Sequence, residues 1–186
     1  MSSSGTVGAD ERVRLFLGFR LPDAAAGAVA AWQHEQLAVE RVRIVPVENL
    51  HVTIAFLGSR PADEIAAIAG ALRESVGGIA GPVLTPIRYR ETRSVGMLVL
   101  DDEQGRATRI AENAHGRLEG LGVYEPEARK WLPHVTVVRF RERPRLEPSI
   151  PDLGPVTMSD AAVYMSRLRP DGAQYEVLES VPLGGG

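Results

Sequence analysis

Two tripeptides stand out for their chemistry: His51-Val52-Thr53 and His134-Val135-Thr136. In a strand, residues i and i+2 share a face. Each motif would therefore set an imidazole beside a hydroxyl. Val52, Ile54 and Phe56, or Val135 and Val137, would then face the other way into a core. Two such strands on one cleft would offer two imidazoles and two hydroxyls to one small ligand. Metal-free phosphodiester cleavage needs that set. An unperturbed imidazole titrates near pKa ~6.5, so one can act neutral as a base while the other acts protonated as an acid. The threonine hydroxyls can donate to non-bridging phosphate oxygens, where charge must be held in the transition state. An in-line displacement has attacking water on one side and the leaving oxygen on the other, which suits two separate histidines.

The remaining residues exclude the competing chemistries. There is no cysteine, hence no disulfide, thiolate nucleophile or cysteine-held metal centre. His34-Glu35 opens like a zinc-protease helix motif, but Ala38 stands where the second histidine would be required. His34 and His115 fall in polar helical stretches without partners at ligand spacing, and read as surface residues. No Gly-rich phosphate loop and no G-x-S-x-G turn occurs, so neither cofactor nor metal is expected. Asp101-Asp102-Glu103 reads as a solvated turn that caps a helix. Phe19, Tyr89, Trp131 and Tyr164 have the side chains for base stacking. Core or sheet packing is the commoner use of such residues, and none is assigned to a site.

The elements that would position the motifs can be read from periodicity and breakers. Residues 12–19 read as a strand, and Asp23 as the N-cap of a helix over 24–39. Short strands follow at 42–47 and 51–57, the second ended by Gly58. A helix over 61–75 has Pro61 at its start and Gly77-Gly78 at its stop. Strands are expected at 83–91 and 95–100, then a helix from Asp101 or Asp102 to about 121 with Gly122 as C-cap. A strand over 134–140, a Pro-rich loop over 144–155 and strands at 156–166 and 174–182 complete the chain. Leu15 lies 36 positions before His51, and Met97 lies 37 before His134, each time with a helix between. The unit of strand, helix and His-Val-Thr strand thus occurs twice, which predicts an approximate two-fold axis relating two halves around a shared cleft.

The chain has 186 residues, 44% of them hydrophobic and 24% charged, as in an ordinary single globular domain. Residues 1–11 read as an N-terminal tail, 12–183 as one bilobal domain and 184–186 as a C-terminal tail. No apolar run reaches the ~20 residues that cross a bilayer. Without cysteines or a signal-peptide pattern at the N-terminus, a cytoplasmic location is expected. The net charge of −3 argues against tight sequence-independent binding to long nucleic acid. Lys130 is the single lysine among 21 basic residues. Arginine suits bidentate phosphate contacts, but most of these arginines lie in polar stretches where they would face solvent.

The paired motifs and their flanks resemble the 2H phosphoesterase superfamily, in its RNA 2′,3′-cyclic phosphodiesterase (LigT-like, or ThpR) branch. The resemblance rests on Glu48-Asn49-Leu50-His51-Val52-Thr53, Phe56-Leu57-Gly58 and Pro133-His134-Val135-Thr136, with 83 positions between the histidines. It extends to Arg14-Leu15-Phe16-Leu17 at the start. Near the end, Leu168 and Gly172-Ala173-Gln174-Tyr175-Glu176-Val177-Leu178 resemble the family's terminal β-hairpin. It implies an α+β bilobal fold, with two antiparallel sheets and outer helices around a central, water-filled cleft. It implies hydrolysis of 2′,3′-cyclic phosphates at RNA 3′ ends or on nucleotides, leaving 2′-phosphates. His51 would protonate the departing 3′-oxygen, His134 would activate water, and Thr53 and Thr136 would hold the phosphate. Arg139 matches a basic residue that the family carries after the second motif. Strict alternation puts Arg139 on the face opposite His134, so that role requires a bulge or a reach around the strand end. A monomer with no membrane association and no obligate protein partner is expected. Other substrates of the same class are 2′-5′-linked oligonucleotides, ADP-ribose cyclic phosphate and RNA ends joined reversibly by a 2′-5′ bond. A nucleotide- or RNA-end-binding module without turnover is the non-catalytic alternative.

Overall fold

The computed structural model describes residues 11–184. The two tails expected from sequence fall almost wholly outside that range. Nine strands and three helices follow in the order β1 (Arg12–Arg20), α1 (Asp23–Gln36), β2 (Val42–Ile44), β3 (His51–Pro61), α2 (Ile65–Val76), β4 (Val83–Glu91), β5 (Val95–Asp101), α3 (Arg106–Gly120), β6 (His134–Phe140), β7 (Val156–Thr157), β8 (Asp160–Arg169) and β9 (Gly172–Pro182). Every strand pairing is antiparallel. The strand order is β7-β4-β5-β6-β3-β1-β8-β9, with β2 on β6. The architecture is α+β, a curled antiparallel sheet with three helices.

Two antiparallel halves meet where β3 touches β6, through the single pair Val52↔Val135. On one side β3 pairs β1 and β1 pairs β8; on the other β6 pairs β5 and β5 pairs β4. The duplicated unit is therefore visible in the topology. The two His-bearing strands are adjacent neighbours at the centre of the sheet, not opposing walls.

One face of the sheet carries the helices and the main core, which includes Leu15, Leu17, Phe19, Val52, Ile54, Leu98, Val135 and Val137. Helix α3 shows why it docks there. Ala107, Ile110, Ala111, Ala114 and Leu118 are buried at helical spacing. Each large apolar side chain so buried contributes about 1.5–3 kcal/mol. The helix ends as expected: Gly122 has φ +72, and the Val123 N–H donates to the Leu118 carbonyl at 3.1 Å. Its start is four to five residues later than predicted. The Asp102 carboxylate nevertheless caps it, accepting the Thr108 N–H at 2.7 Å and the Thr108 hydroxyl at 2.8 Å.

Other boundaries shift for local reasons. Helix α1 stops at Gln36, and Pro22 rather than Asp23 is its N-cap residue, with its carbonyl accepting the Ala26 N–H at 2.9 Å. Strand β3 runs through Gly58 to Pro61, because β1 continues beside it from Leu15↔Gly58 to Arg12↔Pro61. Gly58 takes φ +66 within that strand, where a side chain would be strained. The expected strand over 156–166 divides into β7 and β8, and β8 continues to Arg169.

Candidate active site

The Val52↔Val135 pair organises the site. Both valines are buried in the core, so the residues flanking them project from the opposite, helix-free face. That face carries His51 and Thr53 from β3, and His134 and Thr136 from β6, around one point of contact between the halves. All four are partly exposed.

Both imidazoles are anchored the same way. The Nδ1–H of His51 donates to the Asn49 carbonyl, and that of His134 to the Leu132 carbonyl, each at 2.8 Å and each two residues upstream. Committing Nδ1–H to the backbone leaves Nε2 as the working nitrogen of each ring. The Thr53 hydroxyl donates to His51 Nε2 at 3.0 Å. Asn49 is itself tethered, its side-chain amide donating to the Ala173 carbonyl in β9 at 2.8 Å. His51 titrates well below an ordinary histidine, at about 4. Burial is the main cause, and the backbone bond to Asn49 opposes it. The charges of His134 and Arg139 lower it further, which places both groups in electrostatic reach of His51. At neutral pH the ligand-free His51 is therefore neutral.

Arg139 reaches the same face because β6 is bulged. Met97 pairs with Thr136 and Gly96 with Val138, which leaves Val137 as the extra residue. Val137 and Val138 both face the core, and Arg139 turns back beside His134 and Thr136. An equivalent bulge lies in β3. Leu17 pairs with Ala55 and Gly18 with Thr53, so Ile54 is extra. Ile54 and Ala55 are both buried, and Phe56 emerges on the helix-free face, the concave side of the curled sheet that forms the groove, with 55% of its surface exposed. This overturns the expectation that Phe56 joins Val52 and Ile54 in the core. Phe56 in β3 and Arg139 in β6 occupy equivalent positions.

A helix side chain holds each bulge. Gln33 of α1 donates through Nε2 to the Val137 carbonyl at 2.6 Å and to the Val45 carbonyl at 3.2 Å. His115 of α3 donates through Nε2 to the Ile54 carbonyl at 2.7 Å, its ring stacked on Tyr124 at 4.7 Å. His115 is thus a half-buried structural donor, not the surface residue expected; His34 is exposed as read. Trp131 also supports the site from behind, donating from Nε1 to the Thr53 carbonyl at 3.0 Å.

The β1–β8–β9 side of the groove is aromatic. Phe16 lies 4.7 Å from the His51 ring, 5.8 Å from Phe56 and 4.8 Å from Tyr164, stacked on the latter two. Tyr175 of β9 meets Phe16 edge-on at 4.9 Å and His51 at 5.4 Å. Gly18 leaves room for this cluster, since a Cβ there would stand 3.3 Å from the His51 ring and 3.4 Å from Tyr164. Of the four aromatics named as stacking candidates, only Tyr164 joins this cluster. Phe19 is core, and Tyr89 faces the helices beside Trp32. Sequence reading missed Phe56 because it assumed unbroken alternation, and it singled out neither Phe16 nor Tyr175; the Phe16 and Phe56 flanks of the resemblance were the available signal. Among the described residues no cluster of His, Cys, Asp and Glu is arranged to hold a metal ion, and no helix is long and apolar enough to cross a membrane.

Known proteins share this arrangement of sequence and fold. The family model for LigT like phosphoesterases matches residues 20–80. A Methanocaldococcus jannaschii protein named RNA 2′,3′-cyclic phosphodiesterase is 25% identical over 179 residues, covering 90% of this chain and 99% of that one. An Archaeoglobus fulgidus protein of the same name is 26% identical over 186 residues, covering 89% and 98%. The fold of Escherichia coli LigT, solved with 3′-AMP, matches with a TM-score of 0.78 at 22% identity, over 93% of this chain and 99% of that one. The chain is thus similar in sequence to LigT-like phosphoesterases and shares their fold.

Proposed function

We propose that this protein hydrolyses 2′,3′-cyclic phosphate ends of RNA or nucleotides to 2′-phosphates, by paired-histidine acid–base chemistry that requires no metal. The supporting observation is the common anchoring of His51 and His134, which aims two Nε2 atoms from adjacent strands at one groove face. His134 Nε2 takes a proton from water as its oxygen forms the new bond to phosphorus. The bond from phosphorus to the 3′-oxygen breaks, and His51 Nε2–H delivers a proton to that oxygen. The products are a 2′-phosphate and a free 3′-hydroxyl, and proton exchange with solvent resets both rings. Thr53, Thr136 and Arg139 hold the non-bridging oxygens as charge builds on them.

The low pKa of His51 bears on its acid role. A resting neutral His51 becomes an acid only when a nearby anion favours its charged form. The cyclic phosphate is such an anion, and it also offsets the charge of Arg139. Substrate binding thus arms the acid. Incubation with 2′,3′-cyclic AMP in EDTA should yield 2′-AMP. His51→Ala and His134→Ala should each lower turnover by about 10²–10⁴-fold, with circular dichroism showing both folded. A requirement for added metal, or a 3′-AMP product, would refute the mechanism.

A further inference from the structure

We propose that Arg88 and Arg90 of β4, together with Arg43 of β2, bind the phosphodiester backbone of the RNA strand that leads to the cyclic end. The preferred substrate is then an oligonucleotide terminus rather than a free cyclic mononucleotide. This rests on the phosphodiesterase reading and specifies its substrate.

The placement follows from strand register. Arg88 pairs with Val99, which pairs with His134; Arg90 pairs with Met97, which pairs with Thr136. Each arginine thus lies two strands from a motif residue, roughly 10 Å across the sheet. A bulge in β4 fixes their direction. Pro86 pairs with Leu100 and Arg88 with Val99, leaving Ile87 extra. Beyond it Tyr89 and Glu91 face the helices, where the Tyr89 hydroxyl donates to Glu91 at 3.1 Å. Arg88 and Arg90 consequently project into the groove, and both are exposed. Met97 and Val99 beneath them are buried but stand outside the main core, as groove-facing residues should. Arg43 pairs with Arg139 and shares its face.

Their charge has no local counterpart. Seven arginines form ion pairs, and Arg43, Arg88, Arg90 and Arg139 are among the other described arginines, which form none. The register places one carboxylate on this part of the groove face, Asp101, opposite Thr85 and beyond Arg88. The fold does not demand this arrangement. In the other half, the positions equivalent to Arg88 and Arg90 are Asp160 and Ala162, paired with Arg20 and Gly18. Asp160 there is buried and bonded to Arg20, Ser159 and Ser180. A net charge of −3 conceals this local concentration of guanidinium groups. Arg43 lies beside Gly172 of β9, across the sheet from Arg88 and Arg90. A strand held by guanidinium groups along its backbone and by aromatic side chains against its bases is a general mode of RNA binding.

The test compares kcat/KM for 2′,3′-cyclic AMP and for an RNA hexamer ending in a 2′,3′-cyclic phosphate, at low and moderate salt. The hexamer should be favoured at low salt, and the R88Q/R90Q double variant should lose about tenfold of that preference. Its salt slope should fall by about 1.4, near 0.7 for each phosphate contact in a single strand. Equal losses on both substrates, or no preference for the hexamer in the parent protein, would overturn the proposal. If neither substrate turns over, the phosphodiesterase reading fails separately. Fluorescence anisotropy with the labelled hexamer then decides the matter: weaker, less salt-dependent binding by R88Q/R90Q supports the track, and unchanged binding refutes it. Melting curves confirm that the variant is folded.

Discussion

Strands β3 and β6 are alike for five residues and then part. His51-Val52-Thr53-Ile54-Ala55 and His134-Val135-Thr136-Val137-Val138 share their imidazole anchors, their buried central valine and their bulge. Their bulge donors are exchanged between the halves: Gln33, 18 positions before His51, holds the β6 bulge, and His115, 19 positions before His134, holds the β3 bulge. After the bulge one strand presents Phe56 and the other Arg139. The outer strands diverge in the same sense, with Tyr164 and buried Asp160 on one side and exposed Arg88 and Arg90 on the other. Backbone positioning is alike in the two halves, while the side chains on the helix-free face differ; under the proposed function these are the groups that would meet the ligand. An RNA end is itself asymmetric, with a flat base on one side of the reacting phosphate and a charged chain on the other.

Among variants that test this comparison, the largest effects should come from the diverged pair. Arg139→Met removes a cation from the phosphate and should lower kcat by about 10²-fold. Phe56→Ala should act chiefly on KM, removing stacking energy of about 1–3 kcal/mol. Steady-state kinetics on 2′,3′-cyclic AMP separates the two. Equal effects on kcat and KM from both variants would mean that the halves are not specialised in this way.

What could be read from sequence follows the same division. The strands over 83–91 and 134–140, the doubled unit and the four motif side chains on one face needed only period-two alternation and breaker residues. The groove side of Phe56, Arg88 and Arg90 could not be reached that way. Each follows a bulge, and one extra residue inverts every later side chain. The requirement for a bulge before Arg139 was legible only because the family resemblance demanded its side chain. The roles of Gln33 and His115 were hidden for another reason: their partners are backbone carbonyls 104 and 61 positions away. No local pattern encodes such contacts.

The second comparison concerns the two imidazoles. His51 binds its proton less readily in the folded protein, at about 4 against 6.5 when unfolded. Protonation therefore favours the unfolded chain. The stabilisation is complete above pH 6.5 and is lost as pH falls through about 4, an effect on the order of 2–3 kcal/mol across that window. Urea unfolding from pH 7 to pH 4 should show that loss, and His51→Gln should flatten it. Inorganic phosphate should raise the His51 titration midpoint, seen by NMR. A midpoint unmoved by phosphate would remove the argument that substrate arms the acid.

The smallest effects, and the sharpest test of the symmetry, belong to the bulge donors. The Val137 carbonyl accepts from Gln33 and also from the Val45 N–H at 3.0 Å, so Gln33→Leu leaves it one partner. Gln33 also buries an unsatisfied Oε1, whose removal offsets part of the loss. The Val45 carbonyl loses its Gln33 donor as well, so the net cost should be about 1 kcal/mol. His115→Leu removes the side-chain donor to the Ile54 carbonyl and should cost more, about 1–2 kcal/mol. Kinetics distinguishes positioning from simple packing. Loosening the β6 bulge should lower kcat through Arg139, whereas loosening the β3 bulge should raise KM through Phe56. His115→Gln keeps an N–H donor on α3 and should recover most of the lost KM without restoring the stack on Tyr124. Recovery of stability alone, with KM still raised, would show that the ring's packing and not its hydrogen bond sets the bulge.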